Sequence, residues 1–356
     1  MSIDQRIKAF VVLGKFLEQF TTSSKNETLE QLNEQFHTPF SELISLVERQ
    51  NGWFTKDSIL NSLNGIVINL REEALVEWLS DYIANLQTGK PAKNVAVIMA
   101  GNIPMVGFHD MLCVLLSGNK FTGKLSSDDK LLLPAIARVL KTIEPGFEGN
   151  IEFTEGQLKN IDAVIATGSN NSARYFEYYF GKYPHIIRKN RNSAAVLTGN
   201  ETTRELELLG NDIFQYFGLG CRNVSKIFVP QGYKFETFYE AIFKFKDVIN
   251  NNKYGNNYEY NRTVYLMNQP VGLLDNNFLL LKEDTGYSSP IGVLFYEYYT
   301  DATILNNRLI ADKELLQCIV SGNKAIQSAI PFGTAQTPGL DDYADRVDTM
   351  QFLVDL

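Results

Sequence analysis

A chain of 356 residues, 44% of them hydrophobic, is long enough to bury two ordinary cores, and two lobes is the expected organisation. Its formal net charge of −8 leaves no basic field for nucleic acid, and no apolar run approaches the roughly 20 residues that span a bilayer. Three scattered cysteines (Cys113, Cys221, Cys318) and three histidines (His37, His109, His185) make neither a disulfide framework nor a metal-ligand set, so no metal is expected.

The N-terminal MSIDQRIKAF carries charges where a signal peptide needs an apolar core, which predicts a cytoplasmic protein. Ile3, Ile7, Phe10, Leu13, Leu17 and Phe20 share one face at helical spacing, with Gly14 inside the pattern as a weak point. Leu75, Trp78, Leu79, Tyr82 and Ile83 repeat that spacing, so the first ninety residues read as helices packed on the body. From Asn94 the texture changes. Buried strands are predicted at 94–100, 120–124, 161–166 and 193–197, separated by helices, one of them capped by Ser126–Asp129. The alternation implies a doubly wound parallel sheet that binds ligands at the carboxyl ends of its strands. A second α/β segment follows: a helix over 203–217, a strand over 226–230 and a helix over 235–248. A polar surface loop is then predicted over 250–261, with strands near 263–267, 278–281 and 292–298. The expected domains are 1–198, 199–335 and a tail, 336–356.

Among the cysteines, Cys113 and Cys318 sit inside apolar runs and read as core residues. Cys221 follows Gly218-Leu-Gly220 and precedes Arg222 and Asn223, between a helix end and a strand. Glycines permit close approach of a ligand, and a neighbouring cation favours thiolate. The spacing alone leaves a catalytic cysteine and an ordinary turn cysteine equally open.

The segment 217–229 (FGLGCRNVSKIFV) resembles the nucleophile region of aldehyde dehydrogenases. Upstream, 97–104 (VIMAGNIP) is similar to the stretch whose Asn stabilises the oxyanion. The run 116–127 (LSGNKFTGKLSS) resembles the part that holds the adenosine side of the cofactor, and 166–169 (ATGS) the turn at the pyrophosphate. The order matches over roughly 94–232. MAGNIP at 99–104 and the tail 341–353 (DDYADRVDTMQFL) are similar to acyl-CoA reductases of the LuxC type. The resemblance implies an aldehyde dehydrogenase-like α/β fold: two lobes, each with a mostly parallel sheet flanked by helices, plus N-terminal helices. It further implies NAD(P)H-dependent reduction of an acyl-CoA, or another acyl donor such as an acyl-protein, to aldehyde through a thioester on Cys221. Asn102 would stabilise the oxyanion. Lys124, Ser126, Ser127, Thr167, Gly168 and Ser169 would bind the cofactor. Because the family's acidic ribose-binding residue is replaced in Lys124-Leu-Ser-Ser127, NADPH is expected, with NADH the alternative.

Two departures from the wider superfamily stand out. The stretch that carries the hydrolytic Glu reads RKNRNSAAV at 188–196, without a carboxylate, and YSSPI at 287–291 replaces the segment that holds the nicotinamide ribose. An aldehyde-oxidising dehydrogenase and a protein that only transfers the acyl thioester are the competing readings. The tail is expected to offer a strand to a neighbouring subunit, giving a homodimer.

Overall fold

Short apolar runs followed by helices build both halves of the molecule. The computed structural model describes residues 1–22, 24–87, 90–268 and 272–356. The chain forms two units, Met1–Lys189 with Gly339–Leu356, and Asn190–Pro338.

In the first unit β1 (Asn94–Ile98), β2 (Lys120–Lys124), β3 (Ile151–Thr154), β4 (Ala163–Thr167) and β5 (His185–Arg188) form one sheet in the order β3-β2-β1-β4-β5. Every neighbouring pair is parallel. Such a sheet is buried on both faces, which is why its strands are apolar without alternation. Val95 and Val97 enter the large core with Phe10, Leu13 and Leu17, while Ala96 joins Val164 and Ala166 against Phe176 and Phe180 on the other face. The N-terminal pattern becomes one unbroken helix, Ile3–Thr22. Gly14 does not weaken it, because its missing side chain makes room: a Cβ there would lie 2.8 Å from Leu70 Cβ.

The second unit contains β6 (Asn192–Val196), β7 (Val224–Pro230), β8 (Leu274–Asp275), β9 (Leu280–Glu283), β10 (Val293–Tyr299) and β11 (Leu316–Ser321), in the order β11-β6-β7-β10-β9-β8. All pairs are parallel except β8 with β9. Both sheets therefore match the expected α/β architecture, helices at the N-terminus included.

Three local expectations are corrected. The predicted loop over 250–261 and strand over 263–267 are a single helix, Asn252–Asn268. Its inward face is polar-tipped: Tyr254, Tyr258 and Asn261 are buried, and their side chains donate to Phe278 O (2.9 Å), Asp275 Oδ1 (2.5 Å) and Ile291 O (3.0 Å). An apolar-periodicity reading cannot see a helix anchored by hydrogen bonds. The next helix starts at Leu132 with Leu131, not a residue of Ser126–Asp129, at its N-cap position, although Asp129 accepts from the Leu132 N–H. The tail is not a strand. Thr349–Asp355 is a helix, capped by Asp348, with Thr349, Met350, Leu353 and Val354 buried, and it packs on the helix Phe108–Leu116 of the same unit. The apolar residues there fall at helical spacing and fill the unit's own core.

Among the described residues no helix is long and apolar enough to cross a membrane, and no group of three or more His, Cys, Asp or Glu is placed to hold a metal.

Candidate active site

In the first unit the sequence-predicted binding residues gather at one sheet edge. Ile98 at the end of β1 pairs with Lys124 on β2 and with Ala166 on β4. Thr167 ends β4, and the loops leaving these strands carry Asn102, then Ser126 and Ser127, then Gly168 and Ser169. The strand order reverses between β1 and β4, so the edge is the topological switch point at which such sheets bind ligands. Gly101 is required where these loops meet: a side chain there would collide with Ser126. Asn102 is exposed, and the loop that follows is held by Asp129, whose Oδ2 accepts from Met105 N at 2.7 Å. Met105 has φ 57°, a left-handed geometry uncommon outside glycine, so that hydrogen bond secures an otherwise disfavoured turn. Burial raises the Asp129 pKa to about 6, while the backbone hydrogen bonds from Met105 and Leu132 work the other way.

At β4 the chain turns directly into the helix Asn170–Phe180. Ser169 caps it, its Oγ accepting from Ser172 N at 3.2 Å. Gly168 lets the turn sit tightly on that helix: a Cβ would lie 2.9 Å from both Phe176 Cε2 and Ser172 Cβ. The first-turn N–H groups of Asn170 and Asn171 have no intrahelical acceptor and suit an anion. Beside this turn Arg188 is buried on β5. Its guanidinium donates to Asp110 Oδ2 (2.7 Å), Asp110 Oδ1 (2.9 Å) and Thr349 Oγ1 (2.9 Å). The Asp110 charge outweighs desolvation, the largest opposing influence, and keeps the Arg188 pKa above its ordinary value.

The second unit carries Cys221, at the amino end of β7 rather than at a carboxyl edge. The expected helix over 203–217 stops at Phe214. Tyr216, Phe217 and Gly218 then have φ of 53°, 58° and 79°. A left-handed residue with a side chain costs roughly 1–2 kcal/mol, so the turn persists only if its surroundings enforce it. Asn223, buried, does so: Nδ2 donates to the carbonyls of Gln215 (2.7 Å), Asp212 (3.1 Å) and Ile213 (3.3 Å), and Oδ1 accepts from Gly220 N (2.8 Å). Ser193 Oγ donates to Cys221 O at 2.8 Å and accepts from Cys318 N at 3.2 Å, which ties the turn to β6 and β11. Asp212 accepts from Gly333 N (2.6 Å) and Ala335 N (3.0 Å), and Arg222 donates to Ala335 O (3.5 Å). Burial raises the Asp212 pKa to about 6 against those two hydrogen bonds.

The cysteines separate sharply. Cys221 is exposed, whereas Cys113 and Cys318 are buried. Desolvation pushes the Cys113 thiol well up and the Cys318 thiol to about 11, so neither supplies thiolate near neutrality. His109 Nε2 lies 3.0 Å from Leu340 O, and His185 Nδ1 2.8 Å from Tyr183 O. Sequence reasoning missed Asn223, Ser193, Asp212 and Asp129, all of which hold loops by hydrogen bonds to backbone groups.

The model of the acyl-CoA reductase (LuxC) family matches residues 12–241, more than half of the chain. The chain belongs to that family. No curated protein sequence matches it. Solved structures share its fold at low identity. Aldehyde dehydrogenase 21 from Physcomitrella patens, in complex with succinate, is 11% identical, covering 100% of this chain and 84% of its own at a TM-score of 0.66. An NAD-dependent aldehyde dehydrogenase from Sinorhizobium meliloti is 12% identical, covering 93% and 74% at 0.63. The NADP-dependent glyceraldehyde-3-phosphate dehydrogenase from Bacillus halodurans, complexed with NADP, is 13% identical, covering 91% and 74% at 0.56. This acyl-CoA reductase family member thus has the aldehyde dehydrogenase fold.

Proposed function

We propose that this chain reduces an acyl-CoA to the aldehyde through an acyl-enzyme on Cys221. The observation that carries the reading is the exposed Cys221 on a conformationally enforced turn, in contrast to the two other cysteines, whose burial disables them. The Cys221 thiolate attacks the thioester carbonyl, forming a new C–S bond and a tetrahedral oxyanion. The oxyanion collapses, the old C–S bond breaks, and CoA leaves as thiolate. The Asn102 side-chain amide and the Cys221 backbone N–H are assigned as oxyanion donors on the resemblance. Arg188 cannot accept a proton, and Asp110 binds it at two points. From Pro184 to Asn192 the chain has no carboxylate to activate water. Both features favour a thioester that outlasts water.

The fit of the first unit to a nicotinamide dinucleotide rests on the tight Gly168 turn at a helix start and on the switch-point edge. Thr167, Gly168 and Ser169 would hold the pyrophosphate, with Lys124, Ser126 and Ser127 on the adenosine side. NADPH is the preferred form, because the serines present hydroxyls where a carboxylate would repel a 2′-phosphate, and Asp129 is turned away to Met105. When bound, the reduced cofactor supplies the hydride that turns the thioester into aldehyde and frees the Cys221 thiolate.

The test is turnover of a chain-length series of acyl-CoAs with each reduced cofactor, following cofactor oxidation and aldehyde together. One aldehyde per cofactor oxidised is expected. Acyl transfer to added thiols without cofactor oxidation would replace the reductase reading with acyl transfer alone, and free acid as the main product would replace it with hydrolysis.

A further inference from the structure

At the opposite, amino-terminal edge of the first unit's sheet lies a cavity of about 450 Å³, roofed by the start of the N-terminal helix. Gly118 and Asn119 before β2, Asn150 before β3, and Glu144 and Phe147 line it together with Arg6. Arg6 is only 5% exposed, and its Nε is buried with no hydrogen-bond partner. Among the described residues no carboxylate forms an ion pair with it, and desolvation alone acts on its pKa, lowering it. The contrast with Arg188, equally buried but matched to Asp110, is direct.

Three of the other polar linings are already engaged. Asn119 Oδ1 accepts from Lys93 N (3.0 Å), and its Nδ2 donates to Ser117 Oγ (3.0 Å) and Leu353 O (3.1 Å). Asn150 Nδ2 donates to Gly146 O (2.8 Å), and Glu144 Oε1 accepts from Gly146 N (2.9 Å). Arg6 is thus a buried cation in this cavity without a counter-charge, and Gly118 clears its Nη1, since a side chain there would collide with it. A buried cation without a counter-charge is costly unless an anion completes it, and the guanidinium fork matches a two-oxygen anion.

We propose that this cavity is a binding site for a small oxyanion, gripped by the Arg6 guanidinium. Its volume is within the range of small-molecule sites. The Glu144 carboxylate in the lining repels a doubly charged group, so a carboxylate is favoured over phosphate. The site is independent of the Cys221 chemistry.

The experiment uses the full chain labelled with ¹⁵N-arginine, titrated with sodium acetate, inorganic phosphate, or chloride at matched ionic strength. One side-chain Nε–H resonance, absent from Arg6→Lys, is expected to shift saturably with acetate and more weakly with phosphate, but not with chloride. Acetate at ten times its Kd is expected to raise the wild-type Tm by about 3–6 °C. Arg6→Met is expected to show no such rise and to melt no lower than wild type in chloride, because it removes an unmatched buried charge. A wild-type protein that responds to neither acetate nor phosphate would overturn the site, as would an equal response in Arg6→Met. So would an Arg6→Met protein that melts well below wild type while wild type ignores both anions.

Discussion

Removing the Asn223 side chain probes how the nucleophile turn is held. Asn223→Ala deletes one acceptor for Gly220 N and the two amide protons shared among the carbonyls of Asp212, Ile213 and Gln215. Three lost hydrogen bonds at about 1 kcal/mol each give ~3 kcal/mol. Partial relaxation of Tyr216 and Phe217 from left-handed geometry returns some of this, leaving a net loss of about 2–3 kcal/mol. For a unit of this size that corresponds to a Tm lower by about 5–10 °C. The Cys221 backbone N–H moves with the turn, so acylation by acyl-CoA is expected to slow by roughly 10–100-fold. Asn223→Asp is the informative companion. It keeps the acceptor for Gly220 but sets a carboxylate against the three carbonyl oxygens, so its stability is expected to fall as pH rises and the new group ionises. The assays are thermal melts followed by circular dichroism and single-turnover acylation. Asn223→Ala melting within about 1 °C of wild type and acylating at the wild-type rate would refute this view of the turn.

Three further outcomes are expected. The Asp212 carboxyl has a pKa of about 6 in the native protein against an ordinary 3.8. The native state thus binds more protons between those values, and stability falls as pH rises through them, by at most ~3 kcal/mol. Urea titrations from pH 4 to 7 are expected to show a shallower decline for Asp212→Asn, and identical slopes would contradict the burial assigned to this carboxyl. Steady-state kinetics are expected to give a higher kcat/KM for NADPH than for NADH, and equal values would remove the role given to Ser126 and Ser127. The acyl-enzyme is expected to persist without cofactor and to be discharged by added CoA, since a positioned base contributes roughly 10²–10⁴-fold to hydrolysis and no carboxylate is present over 184–192. Rapid release of free acid would show that another residue activates water.

Much of the fold was legible because its strands are buried on both faces. The runs at 94–98 and 163–167 are apolar for that reason, and the glycine turns after them mark the switch-point edge. The helix Asn252–Asn268 was not legible, because its inward face is made of Tyr and Asn side chains whose burial depends on acceptors 17 to 30 residues away along the chain. β11 was hidden for a related reason: Leu316–Ser321 reads as an apolar run of undetermined type until it pairs with β6. At the candidate site the order of short motifs pointed to Cys221, Asn102 and the Thr167–Ser169 turn. The supporting residues were silent. Ser193, Asp212 and Asn223 act through backbone groups that lie near them only once the chain has folded, and nothing in their local spacing marks them.

The identity of the nucleophile is tested most directly by intact-mass measurement after incubation with a long-chain acyl-CoA and no nicotinamide. Wild type, Cys113→Ala and Cys318→Ala are each expected to gain one acyl group, removable by hydroxylamine, and Cys221→Ala none. An acyl adduct retained by Cys221→Ala and lost from either of the other variants would contradict the assignment of Cys221 and the mechanism built on it.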